Sequence, residues 1–345
     1  MTQLKQVVVF VALAYLIALL VDVAFYAYGL RREGLENALD IQFGILAAVW
    51  GFTRMWSVTM VVFLCLAIRR VNIKSWLAKV FNLSKRALLY YFASPLVVYV
   101  AFGVYVLIAS LLGLFDFEAY VELIQEDLSK VLPAQGVDVE ALARVLAYAQ
   151  LALAYLSAIT INAIFALGEE IGWRGYLFEL LSGSASLKNT IIIGACWGFW
   201  HASAILLVGH NYICNRVPGI FLFTLLTVTS TYPYLLVTKR SQSVLPASSL
   251  HGGVNALWGV TMFTSSRLPL DQRELLLGLG VVGITSWAIT SLLLKATCDR
   301  GLLLADRCRC KTQSPPSRVE LLRARHQQAL EVSLHLGVER LQALL

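Results

Sequence analysis

The sequence predicts an all-α fold, a polytopic membrane helical bundle of about eight transmembrane helices around an intramembrane cavity that faces the cytoplasm. Composition is the first observation behind that reading. Of 345 residues, 58% are hydrophobic and only 14% charged, with a mean hydropathy of +0.71, which is not the mixture of a water-soluble domain. Second, the apolar residues gather in blocks of about 20 or more, long enough at about 1.5 Å per residue to cross a hydrocarbon core of about 30 Å. Third, the blocks show no sustained alternation of apolar and polar residues, so helices rather than barrel strands are the spanning elements.

In chain order the predicted spans are 6–28, 45–68, 87–114, 143–168, 190–208, 218–238, 246–264 and 274–294. The first follows Lys5 as a signal peptide would, but its apolar run outlasts a typical h-region and no clear small-residue cleavage site follows, so it reads as a span. The loop after the second span carries Arg69, Arg70, Lys74, Lys79, Lys85 and Arg86, which the positive-inside rule assigns to the cytoplasm. Alternation then brings Lys188, Lys239, Arg240 and the basic stretch 295–311 to the same side, and the acidic 115–141 loop to the other. Both termini are expected in the cytoplasm. The net charge of +7 follows from this orientation and from anionic lipid at the inner leaflet, not from nucleic acid.

Two regions follow from composition: a membrane domain, 1–296, and a cytoplasmic tail, 297–345, broken by Ser-Pro-Pro-Ser at 314–317. Beyond Arg318, Val319, Leu322, Leu330, Leu334, Val338, Leu341 and Leu344 recur at roughly helical spacing between charged residues, the pattern of an amphipathic helix that docks on the domain or lies on the membrane. Segment 118–130 has similar character and reads as a surface helix. Six cysteines give no disulfide framework: Cys65 and Cys196 fall within spans, Cys214 in a short external loop, and Cys298, Cys308 and Cys310 in the reducing tail.

Polar side chains at membrane depth are where function is sought, because each costs several kcal/mol unless paired or hydrated. Asp22 and Arg54, both toward the outer ends of their spans, read as a structural ion pair. The stretch Phe165–Tyr176, FALGEEIGWRGY, is different. Glu170 and Arg174 are four apart and about 40° from one another around a helix, so they pair along one face, whereas Glu169 lies about 140° from Arg174 and is left to face a cavity. Trp197 and His201 share a face of the fifth span, and His251 and Asn255 share a face of the seventh, where Gly252 and Gly253 permit close approach. Any one pair reads as interhelical hydrogen bonding; three in three spans read as a site.

These residues resemble the signatures of the CPBP (ABI) family of intramembrane proteases, which includes the type II CAAX prenyl endopeptidases. Glu169 to Arg174 matches E-E-x-x-x-R; Trp197 to His201 matches F-x-x-x-H with tryptophan for phenylalanine; His251 to Asn255 matches H-x-x-x-N. The resemblance covers about 150–260. It implies an intramembrane endopeptidase in which Glu169 and His201 activate a water while His251 and Asn255 stabilise the oxyanion, with Glu170, Arg174 and Trp197 structural or substrate-orienting. It implies a membrane-associated substrate, in the CAAX branch a prenylated peptide.

Members are often labelled metalloproteases, and Glu169, His201 and His251 are the set that would ligate zinc. No H-E-x-x-H is present, so metal-free water activation is the expectation, with zinc as the alternative. A non-proteolytic membrane scaffold and a proton-coupled transporter are the rival functions for the same helical frame.

Overall fold

The computed structural model describes residues 2–31, 41–132, 137–265 and 267–312, with side chains described only as far as Thr297 and not for Ile41. The amphipathic pattern beyond Arg318 lies outside the described residues, as do the side chains of Cys298, Cys308 and Cys310. The chain divides into two compact units, Met1–Leu292 and Leu293–Leu345. The cavity and the helices around it belong to the first.

Fourteen α-helices build the described chain: α1 (Gln3–Ala27), α2 (Ile41–Ile68), α3 (Ile73–Val80), α4 (Lys85–Ala93), α5 (Pro95–Leu111), α6 (Glu118–Val131), α7 (Val139–Ala158), α8 (Ile161–Glu170), α9 (Phe178–Leu180), α10 (Leu187–Trp200), α11 (Arg216–Ser241), α12 (Leu245–Leu257), α13 (Leu270–Leu276) and α14 (Val281–Thr312). Among the described residues, seven stretches are long and apolar enough to cross a membrane: 3–27, 42–68, 85–111, 139–158, 187–208, 216–241 and 270–297. The expected seventh span is different. There α12 has 13 residues and passes into a 3-10 turn, Trp258–Met262, so its length comes from two kinds of helix. The expected surface helix over 118–130 is α6.

The expected fourth span does not end at residue 168. It breaks at Ile159 and Thr160, where α7 gives way to α8, then runs through a wide π-helical segment, Ile171–Leu177, into α9. Side chains from neighbours satisfy the backbone there, as lipid demands. Tyr91 donates to the Ile159 carbonyl at 2.9 Å, and Thr59 donates to the Gly168 carbonyl, next to the wide segment, at 2.7 Å. Glu169 therefore lies in the middle of a broken helix, not at the end of the fourth span.

Glycines set the closest helix contacts. A methyl group on Gly252 of α12 would lie 2.6 Å from the Ala158 carbonyl oxygen and 2.8 Å from the Ala163 nitrogen, so α12 packs directly against the α7–α8 break. At Gly194 of α10 it would meet Val228 Cα at 2.6 Å, which ties α10 to α11. Because backbone cannot move aside as a side-chain tip can, Gly252→Ala is expected to cost about 1–3 kcal/mol and to lower any activity that depends on the adjacent His251. Thermal unfolding in detergent checks the first; unchanged unfolding would show that the break relaxes freely.

Long-range contacts gather the loops into two ends. At one, Gln3 donates to the Leu180 carbonyl, Trp76 donates to Glu179 at 2.9 Å, and Phe81 bridges Ser243. At the other, the Asp116 nitrogen donates to the Thr264 carbonyl at 2.8 Å, and Glu274 accepts from the backbone of Ile213, Cys214 and Asn215. The basic 69–86 loop, with α3, belongs to the first end.

Candidate active site

A cavity of about 640 Å³ opens between the helices, and Glu169, Trp197, His201, His251 and Asn255 all line it. They come from α8, from α10 and the turn that follows it, and from α12. Glu169, Trp197, His201 and His251 are buried, whereas Asn255 is exposed. Glu170 and Arg174, also buried, are not among the lining residues and sit behind the wall.

Adjacent on α8, the two glutamates have separate partners. Glu170 accepts from Arg174 Nη1 at 3.0 Å and from His251 Nδ1 at 2.8 Å, both on Oε1, so one carboxylate oxygen joins the α8 segment to α12. The expected same-face pair is therefore present and has a third member. The His251 ring is oriented by this bond, in the manner of a carboxylate behind a working imidazole. Glu169 turns the other way and accepts from the indole nitrogen of Trp197 at 2.6 Å.

Trp197 is the hub of the wall. Its ring lies 4.1 Å below the Arg174 guanidinium carbon and meets the rings of His251 and Tyr234 edge-on at 5.2 and 5.5 Å. Its carbonyl accepts from His201 Nδ1 at 2.9 Å. A carbonyl can only accept, so the proton is on Nδ1, and the neutral ring keeps Nε2 as a lone-pair nitrogen able to take a proton. The phenylalanine of the resembled motif has no N–H, so this tryptophan adds a hydrogen bond to Glu169 as well as bulk. Trp197→Phe is expected to lower turnover while leaving thermal unfolding within about 1.5 kcal/mol, the scale of one hydrogen bond; equal turnover would show that the bond positions nothing.

Sequence reasoning missed three members of the wall. Arg54 lines the cavity as well as pairing with Asp22, with Nε 2.9 Å from Oδ1 and Nη2 donating to the Trp200 carbonyl at 2.7 Å. Asp22 also accepts from Trp50 at 2.8 Å and Ser203 at 2.6 Å, so the expected ion pair is a four-residue network. Tyr234 and His210 line the cavity too, the His210 ring 6.1 Å from that of His201. Of these, only Arg54 had a signal in the sequence, a cation in an apolar run.

Glu169, His201 and His251, the set named for the zinc alternative, are not grouped as ligands. Among the described residues no group of three or more His, Cys, Asp or Glu side chains is placed to hold a metal ion. One Glu169 oxygen is taken by Trp197, and Nδ1 of His201 and of His251 by Trp197 and Glu170.

The fold and the cavity define a class: an all-helical, multi-pass membrane protein with buried acids and histidines converging on an enclosed space. Comparison narrows it. Residues 149–257, a stretch that contains all three motifs, are similar to the family described as Type II CAAX prenyl endopeptidase Rce1-like. No curated protein and no solved structure matches the chain.

Proposed function

We propose that the protein is an intramembrane endopeptidase that hydrolyses peptide bonds of membrane-associated substrates. The observation that carries the reading is the convergence of Glu169, His201, His251 and Asn255 on one cavity within the Rce1-like stretch. In the reaction, a water between Glu169 and His201 gives up a proton to one of them and its oxygen attacks the scissile carbonyl. The carbonyl oxygen takes the negative charge. Glu170 holds Nδ1 of His251 and so turns Nε2 toward that oxygen as a donor, and the Asn255 amide adds a second donor one turn away. The proton then passes to the leaving nitrogen as the C–N bond breaks.

In this reading the water is activated without metal, so a strong chelator leaves turnover unchanged. The family description names prenylated CAAX peptides, which makes a farnesylated peptide the first substrate to test. In this reading the basic 69–86 loop lies in the cytoplasm, and both termini are proposed to be cytoplasmic as well. The test is purified wild type beside His201→Ala on the farnesylated peptide and on a mixed library of membrane peptides. Cleavage by wild type alone is expected; no cleavage by wild type, or equal cleavage by both, would favour a scaffold or transporter on the same frame.

A further inference from the structure

Asp22 and Arg54 form a buried ion pair that takes no part in the proposed reaction. Asp22 is 0% exposed and Arg54 3%, and a pair so deep is weak ground for stability, since apolar side chains of similar volume often serve as well or better. Apolar side chains cannot fix direction. The hydrogen bonds of this pair can, and they converge on one turn.

That turn carries His201. Helix α10 ends at Trp200, and the chain passes through residues 201–203 into a second wide segment, Ala204–Val208. Arg54 Nη2 donates to the Trp200 carbonyl at 2.7 Å, one residue before the histidine. Ser203 Oγ donates to Asp22 Oδ2 at 2.6 Å, two residues after it. Because Arg54 Nε reaches both Asp22 oxygens, at 2.9 and 3.1 Å, the two ties form one piece. Trp50 occupies Oδ1 as well, at 2.8 Å. Through these bonds α1 and α2 hold the chain on either flank of His201.

The same guanidinium backs the ring. Its carbon lies 3.6 Å from the centre of the Trp200 ring, and that ring meets the His201 ring edge-on at 4.8 Å. The Trp200 indole nitrogen donates to the Ala14 carbonyl at 3.2 Å, so a bond to α1 also holds the tryptophan. With Nδ1 of His201 on the Trp197 carbonyl, the imidazole is fixed along one edge by its own helix and walled by Trp200.

We infer that Asp22, Arg54 and Ser203 are positioning residues for hydrolysis: they hold the backbone and the ring wall around His201 and so aim its Nε2 at the water shared with Glu169. The inference rests on the peptidase reading. It extends the machinery to α1 and α2, which lie outside the 149–257 stretch.

The test uses the full chain purified in detergent, with turnover measured on the farnesylated peptide or on the library peptide that wild type cleaves. Ser203→Ala removes one hydroxyl at a half-buried position and leaves the ion pair intact. Its kcat is expected to fall roughly 10-fold, with KM within about twofold and thermal unfolding unchanged. Ser203→Thr keeps the hydroxyl and restores most of the loss. Arg54→Lys keeps a cation opposite Asp22 but has no second nitrogen for the Trp200 carbonyl, so it lowers kcat in the same way. Combined with Ser203→Ala it loses less than the product of the two separate losses, because both release one turn.

Wild-type kcat in Ser203→Ala overturns the inference, as does a loss that tracks unfolding temperature and is not restored by Ser203→Thr. In both cases cleavage by wild type leaves the peptidase reading standing. No cleavage by wild type removes that reading and the inference with it.

Discussion

Glu169→Gln is expected to abolish measurable peptide hydrolysis, by roughly 10²–10⁴-fold if the carboxylate is the general base, while leaving the protein folded. The substitution is chosen to separate chemistry from structure. The glutamine carbonyl oxygen still accepts the Trp197 indole bond that the carboxylate accepts at 2.6 Å, and the side chain has the same shape. What is lost is the ability to take a proton from water. Turnover beside thermal unfolding checks both halves, and retained turnover would move the base to His201 alone.

Its neighbour is expected to fail in the opposite manner. Glu170 is fully buried, and Oε1 serves both Arg174 and His251, with neither replaceable by water. Glu170→Leu removes the anion and leaves a buried guanidinium without its counter-charge, a loss of about 3–5 kcal/mol. A marked fall in unfolding temperature, or failure to accumulate in the membrane, is the expected result. Glu170→Gln keeps an oxygen for one of the two donors and is expected to be folded but slow, because His251 loses the carboxylate that orients its ring. Wild-type stability in Glu170→Leu would mean that Arg174 finds another anion. Identical residues, adjacent in the chain, thus give an inactive folded protein in one case and an unstable one in the other.

Much of the architecture was legible because the bilayer imposes simple rules. Blocks of Leu, Val, Ile and Ala long enough to span announced α1, α2, α10, α11 and α14, and the four-residue spacing of Glu170 and Arg174 announced their pair. The cost of charge in hydrocarbon likewise announced Asp22 with Arg54. The break at Ile159–Thr160 was not legible, since no proline or glycine marks it; Gly252 from a distant helix and the Tyr91 hydroxyl make room for it and satisfy it. The bond from Trp197 to Glu169 and the cavity's opening depend on how helices far apart in sequence are turned toward one another. Hydropathy reports depth along one helix and carries no information on that rotation.

The wide segment 171–177 acts as a phase shifter. A π-helical turn takes one residue more than an α-helical one, and one residue is about 100° of rotation. Ahead of it, Glu169 and Glu170 point into the cavity wall and toward His251; beyond it, Glu179 reaches Trp76 at 2.9 Å and Lys79 at 2.8 Å at the basic end. Both alignments hold only while the extra residue is there. A one-residue deletion between Ile171 and Leu177 would let the turn close into an ordinary α-helix, and the chain would then keep Glu169 in the cavity with Glu170 behind it, or its anchor on α3, but not both.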